Sequence, residues 1–209
     1  MSPRDTLRHY LGQCPLVAII RGVTPTEAEA IGQAIFDAGI RIIEVPLNSP
    51  DPLASIELLA ARRGDQALIG AGTVLQPREV VAVEAAGGRL IVAPNTDSAV
   101  IAASAAAGLV SCPGYFTPSE GFAALEAGAT GLKLFPAEGA SAAVLKAQRA
   151  VLPKDVPVLA VGGVRPDNMR TWLDAGADGF GLGSGLYKPG QSPEETGEKA
   201  RAYVAGVRG

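Results

Sequence analysis

The stretch Gly131-Leu132-Lys133-Leu134-Phe135-Pro136 has the pattern of a short buried strand that carries one charged residue. Its apolar residues are bounded by glycine before and proline after, which mark the ends of a strand. A lysine is rarely fully buried unless its charge has a partner or a function. Two interpretations of Lys133 are open. Either its ammonium reaches solvent while its stem is packed, or its amine is desolvated and attacks a carbonyl carbon to form a Schiff base.

Short apolar segments of the same kind recur along the chain and alternate with Ala-rich helical segments. Eight strands are predicted, at residues 16–20, 40–47, 67–74, 90–94, 109–113, 132–135, 158–161 and 180–183. Helix starts are marked by a Thr-Pro-x-Glu pattern, as at residues 24–27 and 117–120. About eight βα units predict an α/β fold, a single (β/α)₈ TIM barrel over residues 1–209 with a short helix at residues 6–13 before it. A doubly wound open sheet would produce the same alternation.

The composition limits the classes of function. The chain has 209 residues with a net charge of -3 and no basic run, which argues against nucleic acid. No apolar run reaches membrane-spanning length, and the N-terminal residues lack the apolar core of a signal peptide. Cys14, Cys112 and the single His9 lie too far apart for a zinc site, and they suggest no disulfide framework. We therefore expect a cytoplasmic protein that handles a small molecule, without metal, nucleic acid or membrane.

Residues able to do chemistry gather at the predicted C-terminal ends of the strands, which form one ring in a barrel. Glu44 lies within an apolar strand, either as the partner of a buried cation or as a general acid/base whose pKa burial raises. Arg21 is either a surface residue or a clamp on a carboxylate or phosphate. Thr73 is either a β-branched strand residue or a group that receives a substrate carboxylate. The ring also includes Pro94.

Glycines follow the seventh and eighth predicted strands. They are Gly162 and Gly163 after the seventh, and Gly181 and Gly183, in Gly181-Leu182-Gly183-Ser184, at the end of the eighth. Either pair alone could serve only to make a tight turn. Barrel enzymes often bind phosphate with these two loops, because backbone N–H groups approach the oxygens where no Cβ intervenes. Both pairs together predict a phosphate site.

Five motifs in order along the chain resemble the 2-keto-3-deoxy-6-phospho-sugar-acid aldolases, a class I, Schiff-base family. They are Ile43-Glu44-Val45, Gly70-Ala71-Gly72-Thr73-Val74-Leu75, Leu132-Lys133-Leu134-Phe135-Pro136-Ala137-Glu138, Gly162-Gly163-Val164 and Gly183-Ser184. The resemblance implies a barrel that assembles as a homotrimer, acts on a phosphorylated sugar acid and needs no metal or cofactor. It implies Lys133 as the Schiff-base nucleophile and Glu44 as the proton donor and acceptor. Substrate would contact Arg21, Thr73 and Pro94, with the two glycine loops and Ser184 at its phosphate.

Two positions favour the galactonate branch of that family over the gluconate branch. Val161 stands where gluconate-type enzymes typically carry threonine, and Pro46-Leu47-Asn48-Ser49-Pro50 is similar to the galactonate type. The resemblance therefore implies reversible cleavage of a galactonate-type substrate to pyruvate and glyceraldehyde 3-phosphate. Gluconate specificity is the alternative within the family. A barrel that binds sugar phosphate without catalysis, or a phosphate-binding barrel isomerase, is the alternative from another class, although neither needs a buried lysine.

Overall fold

The computed structural model describes residues 1–208, and Gly209, the last residue of the predicted domain, lies outside them. Strands and helices alternate along the chain, as predicted. The strands are β1 (Leu16–Ile19), β2 (Ile42–Pro46), β3 (Leu68–Gly72), β4 (Leu90–Val92), β5 (Val110–Cys112), β6 (Gly114–Tyr115), β7 (Leu132–Leu134), β8 (Val158–Val161) and β9 (Gly179–Leu182). The helices are α1 (Pro3–Gln13), α2 (Pro25–Asp37), α3 (Pro52–Arg63), α4 (Pro77–Ala85), α5 (Ser98–Ala106), α6 (Pro118–Glu126), α7 (Ala142–Arg149), α8 (Met169–Asp174) and α9 (Pro193–Arg208).

The nine strands form one parallel sheet, and the chain closes it into a barrel between β5 and β6. The sheet order is β5-β4-β3-β2-β1-β9-β8-β7-β6, so two consecutive segments of the chain stand at its two edges. Pro113 separates these segments and offers no N–H to the ladder. β5 pairs with β4, whereas β6 pairs with β7. The strand predicted at residues 109–113 is therefore shorter, and β6, which was not predicted, follows it after Pro113. The predicted barrel is confirmed.

Side chains on the strands alternate between the barrel interior and the surrounding helices, as the pleat requires. One apolar cluster fills the interior and includes Val17, Ile19, Ile42, Leu68, Leu90, Val92, Leu159 and Val161. Leu7, Tyr10 and Leu11 of α1 join the same cluster. The leading helix therefore packs against the barrel interior, opposite the strand ends where the predicted site lies.

Local sequence signals explain the helix ends. Thr24 and Thr117 each begin a helix with a capping box, in which a glutamate three residues later accepts from the threonine backbone N–H. Gly39 and Gly128 have φ values of 107° and 102°, which is the left-handed cap that glycine favours. α7 begins at a serine cap, since the Ser141 side chain accepts from the backbone N–H of Val144. Within residues 1–208, no helix combines the length and apolar character needed to cross a membrane.

Candidate active site

A cavity of about 560 Å³ opens at the C-terminal end of the barrel. Most of the residues predicted for the site line it, namely Arg21, Thr73, Pro94, Lys133, Val161, Gly162, Gly163, Gly183 and Ser184. The remaining predicted residue, Glu44, is buried in the barrel wall on β2. One cavity thus brings together side chains from positions 21 to 184 of the chain.

Lys133 lies at the centre of β7 and is only 7 % exposed. Its backbone N–H donates to the carbonyl of Pro113 at 2.9 Å, which fixes the strand beside the closure of the barrel. Its Nζ lies 4.5 Å from the centre of the Phe135 ring. Because the side chain is this buried and lines the cavity, the interpretation of Lys133 as a lysine that reaches bulk solvent is wrong.

Burial lowers the pKa of Lys133, because the ammonium form loses its hydration. The carboxylate of Glu44 acts in the opposite direction and raises that pKa, while the guanidinium of Arg21 lowers it further. The neutral amine is the nucleophilic form, and a larger fraction of Lys133 is neutral here than of a lysine in water.

Glu44 occupies an inward position on β2, next to Ile19 on β1 and Gly70 on β3. The residue is 2 % exposed, and its Oε2 is buried without a hydrogen-bond partner. Burial raises the pKa of Glu44 to about 7, although the nearby charges of Lys133 and Arg21 oppose the shift. No ion pair within 4.0 Å involves Glu44 in the described part of the chain. The alternative of a simple buried salt bridge is therefore not supported, and a carboxyl group titrating near neutrality suits proton transfer.

Arg21 lies at the mouth of the barrel and connects two strand ends. Its Nη1 donates to Oδ1 of Asn48, and both Nη atoms lie 3.4 Å from Oγ1 of Thr73. Thr73 follows β3 with a φ of 58°, a conformation that β-branched residues rarely adopt. Such strain is concentrated at ligand sites. The guanidinium and the hydroxyl together form a donor-rich corner suited to a carboxylate.

The two glycines after β8 have left-handed φ values, 114° for Gly162 and 66° for Gly163. They also pack closely against the loop after β7. A Cβ on Gly163 would lie 3.0 Å from the Cβ of Glu138, and one on Gly162 would lie 3.2 Å from the backbone N of Ala137. Backbone conformation therefore favours glycine at both positions, and a side chain at either would press on the loop after β7.

Several residues that line the cavity were not predicted from the sequence. Glu138 belongs to the quoted lysine motif but has no predicted role, and Lys188 and Tyr203 lie beyond any motif. Asn48, which receives the hydrogen bond from Arg21, was noted only as part of a branch-specific loop. The position of Tyr203 depends on the packing of α9, so no local pattern could have indicated it.

The histidine and the cysteines take no part in the cavity. His9 is exposed on α1 and bonds to Gln13, and both Cys14 and Cys112 are free and buried. Burial raises the pKa of Cys112 to about 12, so its thiol stays protonated beside Lys133. Across residues 1–208, no three His, Cys, Asp or Glu side chains form a group that could hold a metal ion.

Residues 7–195 match the family model described as "Aldolase: KDPG and KHG aldolase". The chain is 50 % identical over 194 residues to the 2-dehydro-3-deoxy-6-phosphogalactonate aldolase of Escherichia coli strain K12, covering 93 % of this chain and 95 % of that protein. It is 48 % identical over 191 residues to a protein of Rhizobium meliloti strain 1021 named "Probable 2-dehydro-3-deoxy-6-phosphogalactonate aldolase", covering 91 % and 90 %. A solved structure described as "Native KDPGal structure" superposes with a TM-score of 0.92 at 50 % identity, covering 94 % of this chain and 95 % of that one.

Proposed function

The chain belongs to the KDPG and KHG aldolase family, and we propose that it cleaves 2-dehydro-3-deoxy-6-phosphogalactonate to pyruvate and glyceraldehyde 3-phosphate. The observation that carries the proposal is the pair Lys133 and Glu44. Both are buried at inward positions of the barrel wall, and burial moves their pKa values toward each other. An amine that is readily neutral and a carboxyl that titrates near pH 7 are the two groups that imine-based cleavage requires.

In the proposed mechanism, the neutral amine of Lys133 attacks the C2 ketone, and loss of water leaves a protonated imine. The positive charge on this imine accepts the electron pair when the C3–C4 bond breaks. The product on the enzyme is then a neutral enamine rather than a carbanion. The apolar side chains that line the cavity with Lys133, among them Ile19 and Val161, are buried and contribute to the dry environment that favours the neutral amine.

Glu44 transfers the protons in this scheme. Its carboxylate, directly or through a water molecule, removes the proton of the C4 hydroxyl, and the aldehyde leaves. The carboxylic acid so formed returns that proton to C3 of the enamine, and water then hydrolyses the imine to release pyruvate. The unpartnered Oε2 of Glu44 supports this role, since a buried carboxylate oxygen without a structural partner is available to substrate.

The two ends of the cavity suit the two charged ends of the substrate. Arg21 and Thr73, joined through hydrogen bonds of 3.4 Å, would receive the C1 carboxylate, with Pro94 as a neighbouring wall. At the other side, the backbone N–H groups after β8 and β9 and the Ser184 hydroxyl would bind the phosphate. Lys188 also lines the cavity and would add a positive charge to it.

The galactonate assignment rests on two observations. Two relatives at 50 % and 48 % identity carry that name, the second as a probable enzyme of the kind. Val161 lines the cavity between the lysine strand and the phosphate loops, so a methyl group stands where a threonine would offer a hydroxyl to the substrate. One hydrogen bond is worth about 1 kcal/mol, so the same site would retain some activity on the gluconate epimer.

Steady-state cleavage of the two C4 epimers, with pyruvate release as the readout, tests the assignment. We expect a higher kcat/KM for the galactonate epimer. A higher value for the gluconate epimer would overturn the substrate assignment and leave the aldolase family unaffected. The absence of turnover with both epimers, despite binding, would favour a non-catalytic sugar-phosphate binder.

As part of the same proposal, we place the enzyme in the cytoplasm as a homotrimer, with residues 1–209 acting as one domain. The location is supported by two buried cysteines that remain free. Assembly is supported by exposed apolar side chains near the cavity mouth, Leu75 at 46 % and Phe116 at 39 %, with Phe122 at 46 % on α6. Light scattering of the purified protein would give a mass near three chains, and a monomer mass at micromolar concentration would contradict the trimer.

A further inference from the structure

The carboxyl group of Glu44 occupies the space that a side chain at position 72 would fill. Along the β2–β3 pairing, Glu44 is level with Gly70 and Pro46 with Gly72. The Glu44 side chain therefore leans toward the C-terminal end of β3 and lies over Gly72. A Cβ built on Gly72 would be 1.9 Å from Oε2, 2.3 Å from Cδ and 2.4 Å from Oε1 of Glu44. All three distances are far inside van der Waals contact.

The glycine at position 72 is not explained by backbone conformation. Nine glycines within residues 1–208 have a positive φ, and Gly72 does not belong to that set. Its backbone is ordinary strand, which alanine adopts readily. Gly70, two residues earlier on β3, has a different neighbour. A Cβ on Gly70 would meet the backbone carbonyl oxygen of Leu90 at 2.0 Å. Gly70 is thus required by contact between strands, whereas Gly72 is required by the Glu44 carboxyl group.

We infer that Gly72 is a positioning residue for proton transfer, because the absence of its side chain leaves the space in the barrel wall that the Glu44 carboxyl group occupies. The inference rests on the proposed catalytic role of Glu44. The group that an added methyl would meet is the end of a flexible side chain, so the barrel tolerates the change while the carboxyl group moves. A displacement of about 1 Å at a catalytic group can cost about 100-fold in rate.

The test uses pyruvate alone, so it does not depend on the identity of the sugar acid. In deuterium oxide, pyruvate forms an imine on Lys133 and exchanges its C3 protons for deuterium. Proton NMR follows the loss of the methyl signal directly. We expect Gly72→Ala to lower the exchange rate by about 100-fold while borohydride trapping of pyruvate on the enzyme continues at the wild-type rate. Wild-type exchange in folded Gly72→Ala would overturn the inference.

A double-mutant cycle separates positioning from a general structural role. In a Glu44→Ala background both the carboxyl group and the clash are absent, so adding Gly72→Ala should leave the residual exchange unchanged. An equal fold-loss in both backgrounds would overturn the inference. If Gly72→Ala alone does not fold, the double variant should fold, because the clash is removed. Failure of the double variant to fold would show that Gly72 is needed for the barrel itself and would overturn the inference.

The inference and the proposed function fail in distinguishable ways. Wild-type exchange in Glu44→Ala would overturn the catalytic role of Glu44, and the positioning role with it. Loss of exchange in Glu44→Ala together with full exchange in Gly72→Ala would overturn the positioning role alone. Gly12→Ala on α1 is the matched control, because a Cβ there meets nothing within 4 Å, and its exchange rate should equal that of the wild type.

Discussion

Replacing Glu44 with glutamine should make the protein more stable in neutral and alkaline solution, because it removes a charge that is buried in the barrel wall. A glutamate in water has a pKa of 4.5, and burial raises that of Glu44 to about 7. Between these values the folded chain holds a proton that the unfolded chain releases, so the stability from this group falls as pH rises. Above about pH 7, ionised Glu44 lowers the free energy of unfolding by its full amount. The difference between the two pKa values corresponds to about 3 kcal/mol.

Glutamine has nearly the same shape and no charge, so Glu44→Gln should avoid most of this cost. Lys133 would lose the attraction of the carboxylate, which reduces the gain. We therefore expect the free energy of unfolding at pH 8 to rise by about 1–3 kcal/mol relative to the wild type. At pH 4.5 the difference should be below about 0.5 kcal/mol, because Glu44 is then protonated in the folded chain.

The measurement is denaturant unfolding at pH 4.5 and pH 8, followed by far-ultraviolet circular dichroism at one protein concentration. Glu57→Gln, the same change at an exposed position in the middle of α3, is the control and should stay within about 0.5 kcal/mol of the wild type at both pH values. A Glu44→Gln variant that gains nothing at pH 8 would refute the reasoning. So would an equal gain at both pH values, since the effect would then not come from ionisation.

Two further predictions concern activity. The kcat/KM should fall below about pH 7, because Glu44 becomes protonated in the free enzyme. The acid limb of kcat should lie at lower pH, because the imine cation on Lys133 stabilises the Glu44 carboxylate in the bound state. A pH-rate profile checks both, and coincident limbs would argue against Glu44 as the base. Val161→Thr should shift the ratio of kcat/KM values by about fivefold toward the gluconate epimer, the equivalent of one hydrogen bond. A ratio unchanged within error would exclude Val161 as a determinant of specificity.

Much of the fold follows from local signals in the sequence. Apolar strands, capping boxes and Ala-Gly helix ends recur with the βα period, so the barrel and most element positions could be predicted. The division of the fifth strand could not, because it depends on β7 pairing with the two residues after Pro113. That pairing joins parts of the chain about 20 residues apart, and no local pattern encodes it.

The site residues were predicted where unusual residue types stand within apolar strands or at strand ends. Lys133 and Glu44 were conspicuous because charged residues are rare in buried strands. The partner of Arg21 was harder to find, since Asn48 is an ordinary loop residue until the fold brings it beside the guanidinium. The role proposed for Gly72 could not be predicted either, because a glycine in a strand does not indicate whose side chain fills the space above it.

Covalent capture of pyruvate tests the central claim most directly. Lys133 should form an imine with pyruvate that borohydride reduces to a stable amine, and peptide mass spectrometry should place the added mass on Lys133. Lys133→Met should abolish both the capture and the turnover while the barrel remains folded. The account would be contradicted by an adduct on Lys146, Lys154 or Lys188, or by turnover that survives without Lys133.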